Sequence, residues 1–251
     1  MKLARMPDGS PEIFYTIQGE GRNIGLPAVF IRSSLCNLHC RWCDTDYTWN
    51  WEGTNFAHER DGTPGYRKHR REDQILDLSA EEVAAVVATY PCSHFVFTGG
   101  EPLVQESGWN AIMAELSRNE TSCRFEIETN GTLMPKEEFL SRIDQINVSP
   151  KLTNSGVAPE LRYKPEVLSA LAESGKADFK FVIGDKNDLE EVLSLVATLP
   201  VSPERIFLMP KALTVAELEK NQGPVATLAQ EHGFRYSDRL HLRLFGAKRG
   251  T

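Results

Sequence analysis

An open, partial barrel of mostly parallel strands alternating with helices is the α/β fold class that this sequence predicts. Two observations carry it. Short apolar runs alternate with amphipathic helical patterns, the order expected of repeated βα units. Small, polar and charged residues recur directly after those runs, at the strand ends where parallel α/β folds assemble their sites. Strands are expected over residues 28–32, 94–98, 124–128, 145–149, 178–183, 205–209 and 241–245. Helical patterns fall over 79–90, 107–118, 135–143, 165–174, 187–198 and 214–231. This is fewer strands than a closed TIM barrel needs, so the TIM-like barrel is read as open. Ser79, with Glu82 three residues on, forms a capping-box pattern, and Val83, Val86 and Val87 supply the apolar stripe behind it. Gly175 follows the 165–174 helix where a C-terminal cap belongs. In the 178–183 strand, alternation turns Asp178 and Lys180 one way and Phe179 and Phe181 the other.

The 251 residues show no internal repeat and no dividing linker, so a single domain over 1–251 is expected, with a charged insertion at about 50–78. Hydrophobic residues make up 41% and charged residues 25%, ordinary for a soluble globular chain. A net charge of −7 disfavours nucleic acid and anionic membranes as partners. No run approaches the ~20 apolar residues of a membrane span, and Asp8, Gly9, Ser10 and Pro11 stand where a signal peptide would be apolar. Five cysteines, three of them clustered, do not resemble a secreted disulfide framework, which points to the cytoplasm. Residues 58–73 carry Arg67, Lys68, Arg70 and Arg71 between acidic flanks. With two glycines, one proline and no apolar period, this stretch reads as a solvated, flexible surface loop.

Cys36, Cys40 and Cys43 follow directly on the apolar run at residues 27–31. The spacing C-x3-C-x2-C lets one loop point three sulfurs at one centre, whereas Cys92 and Cys123 read as small buried hydrophobes. Spacing alone leaves three alternatives. The first is an iron–sulfur cluster on three thiolates with one iron free. The second is structural zinc, which lacks a second cysteine pair here and has only His39, inside the loop, as a further ligand. The third is no metal at all.

Trp42 before the last cysteine, and Gly99-Gly100-Glu101-Pro102 after the next strand, make this pattern resemble the radical S-adenosylmethionine (SAM) superfamily. The resemblance implies a radical SAM core and a [4Fe-4S] cluster whose free iron binds SAM. It also implies a 5′-deoxyadenosyl radical generated on the cofactor, so no catalytic side chain is assigned. Ile17-Gln18-Gly19-Glu20-Gly21, Gly25-Leu26-Pro27, Phe30-Ile31-Arg32 and Cys43-Asp44-Thr45, with Tyr47 and Trp49, resemble the 7-carboxy-7-deazaguanine synthase family. That family converts 6-carboxy-5,6,7,8-tetrahydropterin to 7-carboxy-7-deazaguanine with loss of ammonia, on the route to 7-deazapurines such as queuosine. The likeness runs in pieces from Ile17 to Lys151 and again near the C-terminus.

By that resemblance, Cys36, Cys40 and Cys43 hold the cluster and Thr45 holds Mg²⁺ beside the substrate carboxylate. Trp42, Gly100, Glu101, Ser149 and Lys151 bind the cofactor. Ile17, Gln18, Gly19, Thr98, Glu128, Asn130 and His241 contact the substrate. Arg32 pairs its carboxylate as a fork, and Glu20 accepts from the ring amino group. Read without the family, Arg32 is equally a structural ion-pair partner and Glu20 a capping carboxylate. Thr45 is then a loop hydroxyl and Asn130 a turn former. The resemblance further implies a flavodoxin or ferredoxin as electron donor and a homodimer. Two other readings stand beside it: a radical SAM activating enzyme for a glycyl-radical partner, and a zinc-binding regulatory module using the basic insertion.

Overall fold

A computed structural model describes residues 1–118 and 122–251. Ten strands form one sheet: β1 (Lys2–Ala4), β2 (Ile13–Ile17), β3 (Pro27–Ser33), β4 (Ile75–Asp77), β5 (His94–Gly99), β6 (Arg124–Thr129), β7 (Gln145–Val148), β8 (Ala177–Ile183), β9 (Ile206–Pro210) and β10 (Arg235–Tyr236). Their order is β10-β9-β8-β7-β6-β5-β3-β1-β4, with β2 also paired to β3. From β3 through β10 every neighbouring pair is parallel. β1 and β2 run antiparallel to β3, and β4 runs antiparallel to β1. The path ends at β10 on one side and β4 on the other, so the expected open, mostly parallel barrel is what forms.

The helices are α1 (Arg71–Gln74), α2 (Ala80–Val87), α3 (Glu106–Leu116), α4 (Glu137–Arg142), α5 (Pro159–Arg162), α6 (Pro165–Glu173), α7 (Lys186–Val196), α8 (Val215–Glu231) and α9 (Leu240–Phe245). Ser79 and Glu82 complete the capping box of α2. Gly175 takes φ +70° just beyond α6, the left-handed conformation a helix end requires. One apolar core lies between the helices and the outer sheet face, built on Phe97, Trp109, Ile127, Phe179 and Phe181. The Phe97 and Trp109 rings stack at 4.5 Å. The opposite face of the same strands is polar. Glu126, Asn147, Asp178 and Lys180 are buried there, as two-residue alternation demands.

Three expectations are corrected or refined. Residues 241–245 form helix α9 and not a strand. Their alternation spans only five residues, Leu242 alone is buried, and β10 already occupies the free edge of β9. The 58–73 stretch is mostly exposed and irregular, as expected of a surface loop, but it buries His58 and ends in α1. Strands β1, β2 and β4, and the two-residue β10, were absent from the expected set; β1 and β2 pair antiparallel with β3, and β4 with β1. No helix among the described residues is long and apolar enough to cross a membrane.

Candidate active site

A cavity of about 250 Å³ opens at the C-terminal ends of the parallel strands. Cys36, Cys40, Cys43, Trp42 and Thr45 of the cysteine loop line it, together with the polar residues Gln18, Glu20, Arg32, Glu128, Lys180 and His241. Ile17, Gly19, Thr98, Gly100, Asn130, Ser149 and Lys151 complete the set of expected residues that line it. Glu101 does not. Its carboxylate lies behind the wall, accepting from the Leu103 and Asn130 N–H groups at 3.0 and 2.7 Å and from the Thr129 hydroxyl at 2.8 Å. Glu101 thus ties the β5 loop to the end of β6, and burial holds its pKa above the usual carboxylate range.

The cysteine loop leaves the end of β3, and the Gly-Gly-Glu-Pro loop leaves the adjacent β5. The Gly100 and Glu101 N–H groups donate to the Ser33 and Leu35 carbonyls, at 3.2 and 2.9 Å, and lock the two loops together. A Cβ on Gly100 would stand 2.2 Å from the Leu35 carbonyl oxygen, so only glycine fits. The three thiols are unpaired, and Leu38 and Val157 enclose them in a small apolar cluster of their own. Burial pushes the Cys40 thiol up to about 12 and raises Cys36 and Cys43 as well. Coordination by a metal is what would release those protons. Among the described residues no three His, Cys, Asp or Glu side chains gather as a single ion needs. Three thiolate donors on one loop are a donor set that fits an iron–sulfur cluster.

Lys151 Nζ donates to Ser149 Oγ at 2.9 Å and lies 5.5 Å from the centre of the Trp42 ring. Trp42 Nε1 donates to the Asn154 carbonyl at 3.0 Å. Asn130 accepts from the Thr132 N–H at 3.0 Å, a turn-forming bond, and donates to Asn37 within the cysteine loop at 2.9 Å.

The polar residues form an ion network spanning the barrel. Lys180 bridges Glu20 and Glu128, the latter at 3.2 Å. Arg239 donates to Glu20 at 2.9 Å and pairs with Asp44, and His241 Nε2 lies 3.9 Å from Glu20. Burial alone would raise the Glu20 pKa, yet Lys180, Arg239 and His241 hold it well below the carboxylate range. Glu128 goes the other way: burial raises it, Glu20 and Glu126 add to this, and Lys180 opposes. Gln18 Nε2 donates to Glu126 at 2.8 Å and to Glu128 at 3.2 Å, while its Oε1 accepts from the Glu20 N–H. Gly19 packs against His241, whose Nδ1 would lie 2.3 Å from an added Cβ.

Arg32 donates its Nε to Glu12 at 2.7 Å and still lines the cavity. Glu12, fully buried, also receives the Tyr47 hydroxyl and Arg249 Nε, at 2.9 and 2.8 Å. Thr45 Oγ1 sits 3.6 Å from Cys43 Sγ and lines the same cavity. Sequence reasoning missed Glu12, Glu126, Asn147, Arg239 and Arg249. Glu126 had a signal, since a carboxylate two residues before Glu128 in a buried strand must share its face. Arg239 had none, lying in an irregular connection between β10 and α9.

Three thiols and a polar ion network line one cavity. The radical SAM superfamily model matches residues 30–199, and the chain belongs to that superfamily. It is 34% identical to the 7-carboxy-7-deazaguanine synthase of Halobacterium salinarum, over 93% of this chain and 89% of that protein. It is also 34% identical to the synthase of Pyrobaculum aerophilum, over 95% of both chains. The crystal structure of QueE from Escherichia coli superposes with a TM-score of 0.66 at 27% identity, covering 96% of this chain and 95% of that one. The chain belongs to the 7-carboxy-7-deazaguanine synthase family.

Proposed function

We propose that this chain converts 6-carboxy-5,6,7,8-tetrahydropterin to 7-carboxy-7-deazaguanine with loss of ammonia. The observation that carries the reading is one cavity lined both by three thiols and by Gln18, Glu20, Arg32, Glu128 and Lys180. The residues fit a [4Fe-4S] cluster on Cys36, Cys40 and Cys43, with SAM beside Trp42, Gly100, Ser149 and Lys151. When bound, these groups supply the one-electron chemistry that opens the reaction by hydrogen abstraction. The protein's own part is orientation. Glu12 takes the Nε of Arg32 and so aims the rest of its guanidinium at the substrate carboxylate. Glu20, kept ionised by Lys180 and Arg239, accepts from the ring N–H donors, and Gln18 and Glu128 complete the same edge.

Thr45, between the cysteine loop and Arg32, is proposed to hold Mg²⁺ with the substrate carboxylate, because magnesium takes few protein oxygens and keeps waters. Glu101 contributes by bracing the loop that carries Gly100. A homodimer and a flavodoxin or ferredoxin donor belong to the proposal by family likeness.

The test is to reconstitute the protein anaerobically, reduce it, add the carboxy-tetrahydropterin and SAM, and look for the deazaguanine by mass spectrometry. Product dependent on all three components is expected. A colourless protein that binds zinc and no iron would overturn the reading. Thr45→Ala should change the Mg²⁺ dependence of turnover, and an unchanged dependence would place the metal elsewhere.

A further inference from the structure

The insertion over 50–78 lies against the outside of the cysteine loop. The Glu59 N–H donates to the Arg41 carbonyl at 2.7 Å. His58 Nε2 lies 2.9 Å from the Cys43 carbonyl, which can only accept, so this nitrogen carries the proton. Its Nδ1 lies 3.2 Å from the Arg60 N–H and accepts, which fixes the neutral Nε2–H tautomer. His58 is only 4% exposed, and its ring stacks on Tyr66 at 5.7 Å. The Tyr66 hydroxyl donates to Asp46 at 2.5 Å and accepts from Asn50 at 2.8 Å. Arg60 pairs with the same Asp46, and His69 Nε2 lies 3.4 Å from it. Phe56 stacks on His39, between the first two cysteines, at 3.5 Å. The insertion therefore grips the loop at His39, Arg41, Cys43 and Asp46. The last two bracket Thr45.

We propose that the insertion is a clasp on the cluster loop, with His58 as its positioning residue. Three ligands sit on a stretch without ladder hydrogen bonds, between the end of β3 and the short 3₁₀ turn at Asp46–Thr48. Such a stretch holds its sulfurs in register only if something outside it binds its backbone. His58 binds the carbonyl of the third cysteine, and Tyr66 and Arg60 anchor the carboxylate three residues later. The clasp thereby sets the spacing between Cys43 and Thr45.

This inference rests on Cys36, Cys40 and Cys43 being the cluster ligands. The test measures iron release to a ferrous chelator from anaerobically reconstituted protein, together with the electron paramagnetic resonance spectrum of the reduced cluster. His58→Phe keeps the stacked ring but removes the donor, and His58→Gln restores an N–H near the Nε2 position. The Phe variant should release iron about tenfold faster, the equivalent of one net hydrogen bond, with a shifted spectrum. The Gln variant should return towards wild type. Wild-type release and spectrum in His58→Phe, or a Gln variant as impaired as Phe, would overturn the clasp. If His58→Phe does not fold, Tyr66→Phe decides: faster release supports the clasp and an unchanged rate overturns it. Wild-type protein that takes up no iron would overturn the ligand assignment and the clasp together, so the two failures are distinguishable.

Discussion

Lys180→Met should destabilise the fold strongly, and in a manner that depends on pH. The ammonium is 6% exposed and sits between Glu20 and Glu128. Burial disfavours its charge, but the two carboxylates outweigh that and hold its pKa above the usual lysine value. Without it, Glu20 retains Arg239 at 2.9 Å. Glu128 retains only the neutral donors Gln18 and Asn147. Removing one partner of a buried pair leaves an uncompensated charge and costs about 3–5 kcal/mol. In a chain of this size that corresponds to a fall in Tm of roughly 10 °C. Glu128 already titrates above its ordinary value, and losing Lys180 removes the group that opposes the rise. A carboxyl whose folded pKa exceeds its unfolded value destabilises the fold above that pKa and ceases to do so as pH falls through it. The deficit relative to wild type should therefore be larger at pH 8 than at pH 5.5. Thermal unfolding followed anaerobically by circular dichroism at both pH values measures it. A deficit below about 1 kcal/mol, or one equal at both values, would refute the reasoning.

Cys40→Ala should abolish iron uptake and visible absorbance, whereas Cys92→Ala, on the flank of the main core, should keep both; iron content after reconstitution checks this. Arg32→Ala should raise KM for the carboxylated substrate by about tenfold or more, the worth of a charge-assisted bond. It should leave SAM cleavage without substrate much less affected, because Glu12 keeps Arg249 and Tyr47 as partners; equal loss of both would remove its proposed role. Glu12, Glu20 and Asp46 are buried, yet cations beside Glu12 and Glu20, and His69 and Tyr66 together with Arg60 beside Asp46, hold them below the carboxylate range. Their stabilisation is complete above the unfolded carboxylate pKa of about 4 and is lost as pH falls beneath it. The urea midpoint should hold from pH 7 to about 5 and drop steeply below about 4, and a midpoint flat to pH 3 would contradict the ion-pair assignments.

Much of the site was legible because its ligands are local. Three cysteines in one loop, a Gly-Gly-Glu-Pro turn and a Gln-Gly-Glu-Gly segment each declare their chemistry within a few residues, and almost all of them line one cavity. Glu101 is instructive, since its motif placed it correctly in the chain while its carboxylate faces the β6 end and not the cavity. The 241–245 stretch misled because five alternating residues carry too little periodicity to separate a strand from a short helix. The 58–73 segment was read correctly as mostly exposed loop, but not its anchoring: His58, Arg60 and Tyr66 bond one another and the buried Asp46, which composition cannot reveal.

What the sequence determined by itself was the alternation of the six central parallel strands with their helices, and the clustering of three cysteines in one loop. Both depend on periodicity and spacing along a short stretch of chain. Tertiary structure alone decided which charges meet. Lys180 reaches Glu20 across 160 residues, and Arg239 reaches it across 219. Such pairs exist because parallel register and the curvature of the sheet turn the inner faces of distant strands towards one space. The insertion, by contrast, follows the cysteine loop within a few residues, and its own hydrogen bonds fold it back onto that loop, so that a segment read as surface becomes the proposed support of the cluster site.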